Sequence, residues 1–119
     1  MTGISTHVLD TSLGRPAEGV PVELALHTED GWQVLGTSAT DSDGRVKDLP
    51  AVDAVSDSGS GSGSVVRLLF DTAAYHARTS AEPPFFPEVS IVFTVAPAQH
   101  HYHVPLLLNP FGYSVYRGS

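Results

Sequence analysis

The chain has no cysteine, which excludes a disulfide scaffold, a thiolate metal site and a cysteine nucleophile together. Basic residues are scarce: six lysines and arginines stand against thirteen acidic residues, for a formal charge of −7. Nucleic acids and anionic membranes select the opposite balance, so neither is an expected partner. No apolar run approaches the roughly 20 residues that span a bilayer. The opening Met1-Thr2-Gly3-Ile4 has no basic region leading into an apolar stretch, so a cytoplasmic protein is the default expectation, periplasmic only if a signal was removed. At 119 residues there is room for one core and not two, so residues 1–119 read as a single domain.

What the chain does have is a series of short β-like runs. Ile4 to Leu9 is rich in β-branched residues. Val20 to Leu26 follows, with Pro21 expected at a strand start or on an edge because it lacks an amide donor. Asp30-Gly31 reads as a hairpin turn into Trp32–Gly36, and Asp41-Ser42-Asp43-Gly44 as a second turn with Arg45 directly after it. Val65 to Phe70 is strand-like, and Asp71 is placed to cap a short helix over Thr72–Arg78. Val89 to Val95 alternates and reads as a central strand. A last hairpin runs from His101 to Leu108, turns at Asn109-Pro110-Phe111-Gly112 and returns through Tyr113–Arg117. About eight strands and one helix predict an all-β, two-sheet sandwich. The Gly/Ser tract at 56–64 has the composition of a flexible surface loop.

Side-chain alternation sorts the candidate functional residues by face. In the first strand Ile4, Thr6 and Val8 suit a core, which leaves Ser5, His7 and Leu9 on the other face. If Pro110-Phe111 is the two-residue turn, His103 stands opposite Gly118 and Pro105 opposite Tyr116. His101, His103, Ser114 and Tyr116 then share a face, which puts His103 near Tyr116; a one-residue slip would destroy the arrangement. His101 and His103 also have the spacing of two metal ligands on one strand, with His7 as a third. No carboxylate flanks them to orient the rings, so a metal-free histidine site is the preferred reading. No Gly-x-Ser-x-Gly elbow occurs, which leaves a serine triad without support.

These segments together resemble the transthyretin-like hydrolases, the 5-hydroxyisourate hydrolases of urate breakdown. The resemblance rests on Ser5-Thr6-His7-Val8-Leu9-Asp10-Thr11, on Thr40-Asp41-Ser42-Asp43-Gly44-Arg45, and on Phe70-Asp71-Thr72 with Tyr75. It is strongest over His101-Tyr102-His103-Val104-Pro105-Leu106-Leu107-Leu108 and the closing Tyr116-Arg117-Gly118-Ser119. Asn109 and Val115 depart from the pattern, which more often has serine and threonine there. The resemblance implies a transthyretin-like sandwich of two four-stranded antiparallel sheets. It also implies a homotetramer, a dimer of dimers, with active sites in a channel at the dimer–dimer interface. By the same resemblance His7, His103, Arg45 and Ser119 would be catalytic, His7, Arg45 and Tyr116 would bind a purine-derived substrate, and no metal or organic cofactor would be needed. Whether His7 or His103 acts as the base stays open. The competing reading is a carrier of the transthyretin kind that binds a small ligand without catalysis.

Overall fold

The computed structural model describes residues 2–52, 64–79 and 83–118. Two sheets stack face to face. One has the order β4-β3-β6-β7, formed by β3 (Pro21–Thr28), β4 (Gly31–Ala39), β6 (Ser64–Phe70) and β7 (Val89–Val95). The other has the order β2-β1-β8-β9, formed by β1 (Gly3–Asp10), β2 (Arg15–Pro16), β8 (His101–Asn109) and β9 (Gly112–Val115), and β5 (Arg45–Val46) also pairs with β1. The single helix among the described residues, α1, spans Thr72–Thr79. Its first turn is capped as expected: the Ala74 amide donates to Asp71 Oδ1 at 3.0 Å. The Gly/Ser tract lies outside the described residues except for Ser64, the first residue of β6.

The alternation seen in the sequence becomes the layering. Ile4, Thr6, Val8 and Asp10 are buried along β1, and Tyr102, Val104, Leu106 and Leu108 along β8. They meet Val22, Leu24, Val66, Leu68 and Phe70 from the facing sheet. Burying a side chain of this size stabilises by about 1.5–3 kcal/mol. Pro21 opens β3, where its missing amide costs no interior ladder bond.

Two features differ from the sequence expectation. β7 is an edge strand, not a central one, because alternation reports which faces are buried and not how many neighbours a strand has. The second sheet is not purely antiparallel. β1 and β8 run parallel over eight residue pairs, from Gly3↔His101 to Asp10↔Leu108. Strands from opposite ends of a chain are free of the hairpin constraint that forces antiparallel pairing.

One buried polar cluster ties the helix to β1. Asp10 Oδ2 accepts from the Tyr75 hydroxyl at 2.6 Å, and Oδ1 accepts from the Ser12 amide, the Ser12 hydroxyl and the Leu13 amide. Burial alone would raise the Asp10 pKa, but these donors outweigh it and hold the carboxyl below its ordinary value. The Tyr75 phenol, buried and bonded to that carboxylate, is pushed up to about 12. A carboxyl depressed in the fold contributes stability above its unfolded pKa, and that contribution fades as pH falls through the folded value. Tyr75→Phe should therefore cost about 1–3 kcal/mol in urea denaturation at pH 7, because it leaves a buried carboxylate oxygen short of a donor. The loss should shrink in strong acid, where Asp10 is protonated.

Candidate active site

The outer face of the β1–β8 sheet carries the functional side chains in rows set by register. His7 stands opposite Arg45 on β5 and opposite Pro105 on β8. Ser5 stands opposite His103, and Gly3 opposite His101. The β8–β9 hairpin has the expected register, from Asn109↔Gly112 to Leu106↔Val115, with an isolated bridge at His103↔Gly118. His103 therefore sits between Ser5 on one side and Gly118 on the other. A Cβ at Gly118 would lie 2.8 Å from His103 Cδ2, so glycine is what leaves room for the ring.

Arg45 is held by a compact turn. Asp41 Oδ1 accepts from the amides of Asp43 and Arg45, and the Gly44 amide donates to the Asp41 carbonyl. The Arg45 amide is the first cause of an Asp41 pKa below the ordinary carboxylate value. The same turn aims the Asp43 carbonyl at His7, 2.9 Å from Nε2. A carbonyl can only accept, so Nε2 carries the proton and donates, and Nδ1 is the acceptor nitrogen of the neutral ring.

Arg45, Lys47, Ser5, Thr6, His101 and His103 line an open hollow of about 440 Å³. His7 stands beside it in the row of Arg45. None of the lining residues is acidic, although the chain is strongly so. His103 is held below its ordinary pKa by burial first, then by the Arg45 guanidinium and the neighbouring His7 and His101 rings. A neutral imidazole among fixed cations can accept a proton and hand it on, while the cations face any negative charge that develops. Among the described residues, no three histidine, aspartate or glutamate side chains group as a metal site.

The structure brings His7, Arg45 and His103 together, but Tyr116 stands apart from them. It is 57% exposed and lines a second hollow of about 300 Å³ at the sandwich edge, with Ile91, Phe93, Tyr102, Val115 and Arg117. The β8–β9 ladder lapses at Tyr116 and Arg117, where Pro105 has no amide to offer across the pair, and pairing resumes at Gly118. Arg117 stacks over Tyr102, 4.8 Å from the ring centroid. Ser119 lies outside the described residues. Sequence reasoning missed Ser5 and Lys47 as site residues and considered His101 only as a metal ligand. Parity had put Ser5 on the face of His7; what it lacked was the β1–β8 register that seats Ser5 beside His103.

A two-sheet sandwich with one short helix and a histidine–arginine hollow on an outer sheet face defines a transthyretin-type fold bearing a polar site. The chain belongs to the HIUase/Transthyretin family, whose model matches residues 4–118. It is 42% identical over 119 aligned residues to a 5-hydroxyisourate hydrolase of Deinococcus radiodurans, covering 98% of this chain and 96% of that one. The structure of the Klebsiella pneumoniae 5-hydroxyisourate hydrolase superposes with a TM-score of 0.79 at 32% identity, covering both chains completely. Transthyretin from Sparus aurata superposes equally well, at 0.80 and 31% identity over 99% of this chain and 97% of that one. The fold is therefore common to a 5-hydroxyisourate hydrolase and a transthyretin, and the side chains on the sheet face must separate them.

Proposed function

We propose that this protein is a hydrolase that opens the cyclic amide of 5-hydroxyisourate, giving 2-oxo-4-hydroxy-4-carboxy-5-ureidoimidazoline. The observation that carries the reading is the carboxylate-free cluster of His7, Arg45, Lys47 and His103 on an otherwise acidic chain, in a relative of named 5-hydroxyisourate hydrolases. A carrier of an apolar ligand has no use for such a lining.

In this reading His103 is the base. Its lowered pKa keeps it neutral near pH 7, ready to take a proton from water. The hydroxide equivalent adds to the amide carbonyl, and the oxyanion that forms faces the Arg45 guanidinium. The C–N bond then breaks, the nitrogen leaves with the proton held by the imidazole, and the carboxylic acid formed gives its proton to solvent to become a carboxylate. Arg45 can also grip a planar, oxygen-rich ring through two parallel donors. His7, its Nε2 fixed on the Asp43 carbonyl, binds substrate or water through Nδ1. Tyr116 and Ser119 complete the substrate contacts once the site is closed by another subunit.

That closure is part of the proposal: a homotetramer, assembled as a dimer of dimers, with the hollow facing a partner. Three surface features support it. The hollow lacks an outer wall in one chain. The edge strands β7 and β9 leave Val92, Tyr113 and Val115 exposed. Phe85 is 70% exposed beside Phe86, which in turn packs on Tyr113, and Phe111 is 65% exposed at the hairpin tip. Sedimentation should show the mass of four 12.6 kDa chains; a monomer retaining full activity would overturn this part.

The activity is tested by following the ultraviolet absorbance of freshly made 5-hydroxyisourate with and without the protein. The expected result is decay faster than the spontaneous rate and proportional to protein concentration. Decay at the spontaneous rate would overturn the hydrolase reading and leave the carrier.

A further inference from the structure

We propose that Ser5 and His101 form a positioning relay that decides which nitrogen of His103 carries its proton. The inference deepens the hydrolase reading and rests on the role given there to His103. Ser5 Oγ lies 2.8 Å from His103 Nδ1 and 2.9 Å from His101 Nε2. A hydroxyl has one proton, so it can donate to only one of the two rings and must accept from the other. The protonation states of the rings are thereby linked.

Two arrangements satisfy this constraint. When His101 Nε2 is an acceptor, Ser5 donates to it and accepts from Nδ1–H of His103. Nε2 of His103 is then an open lone pair, the form a general base needs. When His101 Nε2 carries a proton, as it must once both ring nitrogens are protonated, it becomes a donor and Ser5 must donate to His103 Nδ1 instead. The proton of neutral His103 then sits on Nε2, and the base is lost without any change in the charge of His103.

The backbone fixes both rings for this exchange. The parallel register sets Ser5 directly opposite His103 and Gly3 directly opposite His101. A Cβ on Gly3 would lie 2.9 Å from His101 Nδ1, so glycine leaves room for the ring beside β1, with Nε2 in reach of Ser5. Gly118 takes the Cδ2 edge of His103, which leaves Nδ1 facing Ser5. The charged and titratable groups around the relay are Arg45 and Lys47 from the β5 segment, His7 from β1, and His100 and Arg117 beside the adjoining hollow. Among the described residues, no acid lines either hollow to compete for the Ser5 hydroxyl.

The test combines nitrogen-15 NMR of the histidine rings with pH profiles. In the native protein at neutral pH, His103 should show the proton on Nδ1, and in Ser5→Ala that preference should disappear. Ser5→Ala should lower kcat/KM by ~10- to 10²-fold, and Ser5→Thr, which restores the hydroxyl, should recover most of it. His101→Phe keeps a ring over Gly3 but has no proton to exchange. The acid limb of log kcat/KM should be one unit shallower in that variant than in the native protein. An Nδ1 proton that persists in Ser5→Ala, or equal slopes in native and His101→Phe proteins, overturns the relay. The NMR measurement needs no substrate, so it decides the relay even if the native protein fails to hydrolyse 5-hydroxyisourate.

Discussion

Substituting asparagine for His103 lowers kcat by at least ~10²-fold and leaves the assembly intact. The amide of asparagine stands near the position of Nδ1, so the contact with Ser5 at 2.8 Å has a replacement and the packing against Gly118 is relieved. What asparagine cannot do is take up and return a proton. His7→Asn should have a comparable effect through a different route, because it removes the ring fixed by the Asp43 carbonyl. Steady-state kinetics and sedimentation on the same samples check both, and near-native turnover in a folded His103→Asn protein would refute the assignment. The pH dependence follows from the same environment. Burial, and after it the Arg45 charge and the neighbouring His7 and His101 rings, lower the His103 pKa, so the His103 ring stays neutral below the ordinary 6.5. Arg45→Gln removes that charge. It should move the midpoint of the acid limb upward while also lowering the plateau.

Gly44→Ala is the second large effect. The residue has φ of 77°, and a Cβ there would lie 2.4 Å from the Val8 carbonyl oxygen and 3.1 Å from Pro16 Cβ. A left-handed conformation costs a non-glycine residue roughly 1–2 kcal/mol by itself. Here the clash with backbone adds to it, for a total of about 3 kcal/mol in chemical denaturation. Since the turn carries both Arg45 and the Asp43 carbonyl that holds His7, surviving protein should also lose about 10²-fold in kcat. Gly14→Ala is the control: its φ is 69°, yet nothing stands within 4 Å of the new Cβ. It should cost only about 1–2 kcal/mol and spare activity. Equal losses in the two variants would show that close approach at Gly44 contributes nothing.

Local chemistry in this sequence was readable to the extent that the structure is local. The Asp71 cap, the Pro110-Phe111 turn and the buried alternation of β1 and β8 each depend on a few adjacent residues, and each stands where the pattern puts it. β2 and β5 are two residues long, too short to carry a period, and passed unnoticed. The edge position of β7 and the parallel β1–β8 pairing depend on residues far apart in the chain, which no window of sequence contains. The site divides in the same way. His7, Arg45 and His103 were legible from face and turn chemistry helped by the family pattern. The contact between Ser5 and His103, across 98 positions, was not. Tyr116 shows the limit of parity: the expected register holds to Leu106↔Val115, and the ladder lapses where Pro105 would face Tyr116.

The parallel seam between β1 and β8 also sets a timetable. Every partner along it is separated by nearly the whole chain, so the seam can close only after β8 has left the ribosome. Until then β1 has one edge unpaired, an opportunity for wrong strand partners during synthesis. Contacts of such range form late and slowly in refolding as well. The hollow lined by residues from β1, β5 and β8 does not exist before that closure, so no amino-terminal fragment should show partial catalysis. Return of activity thus cannot precede this last long-range step of folding.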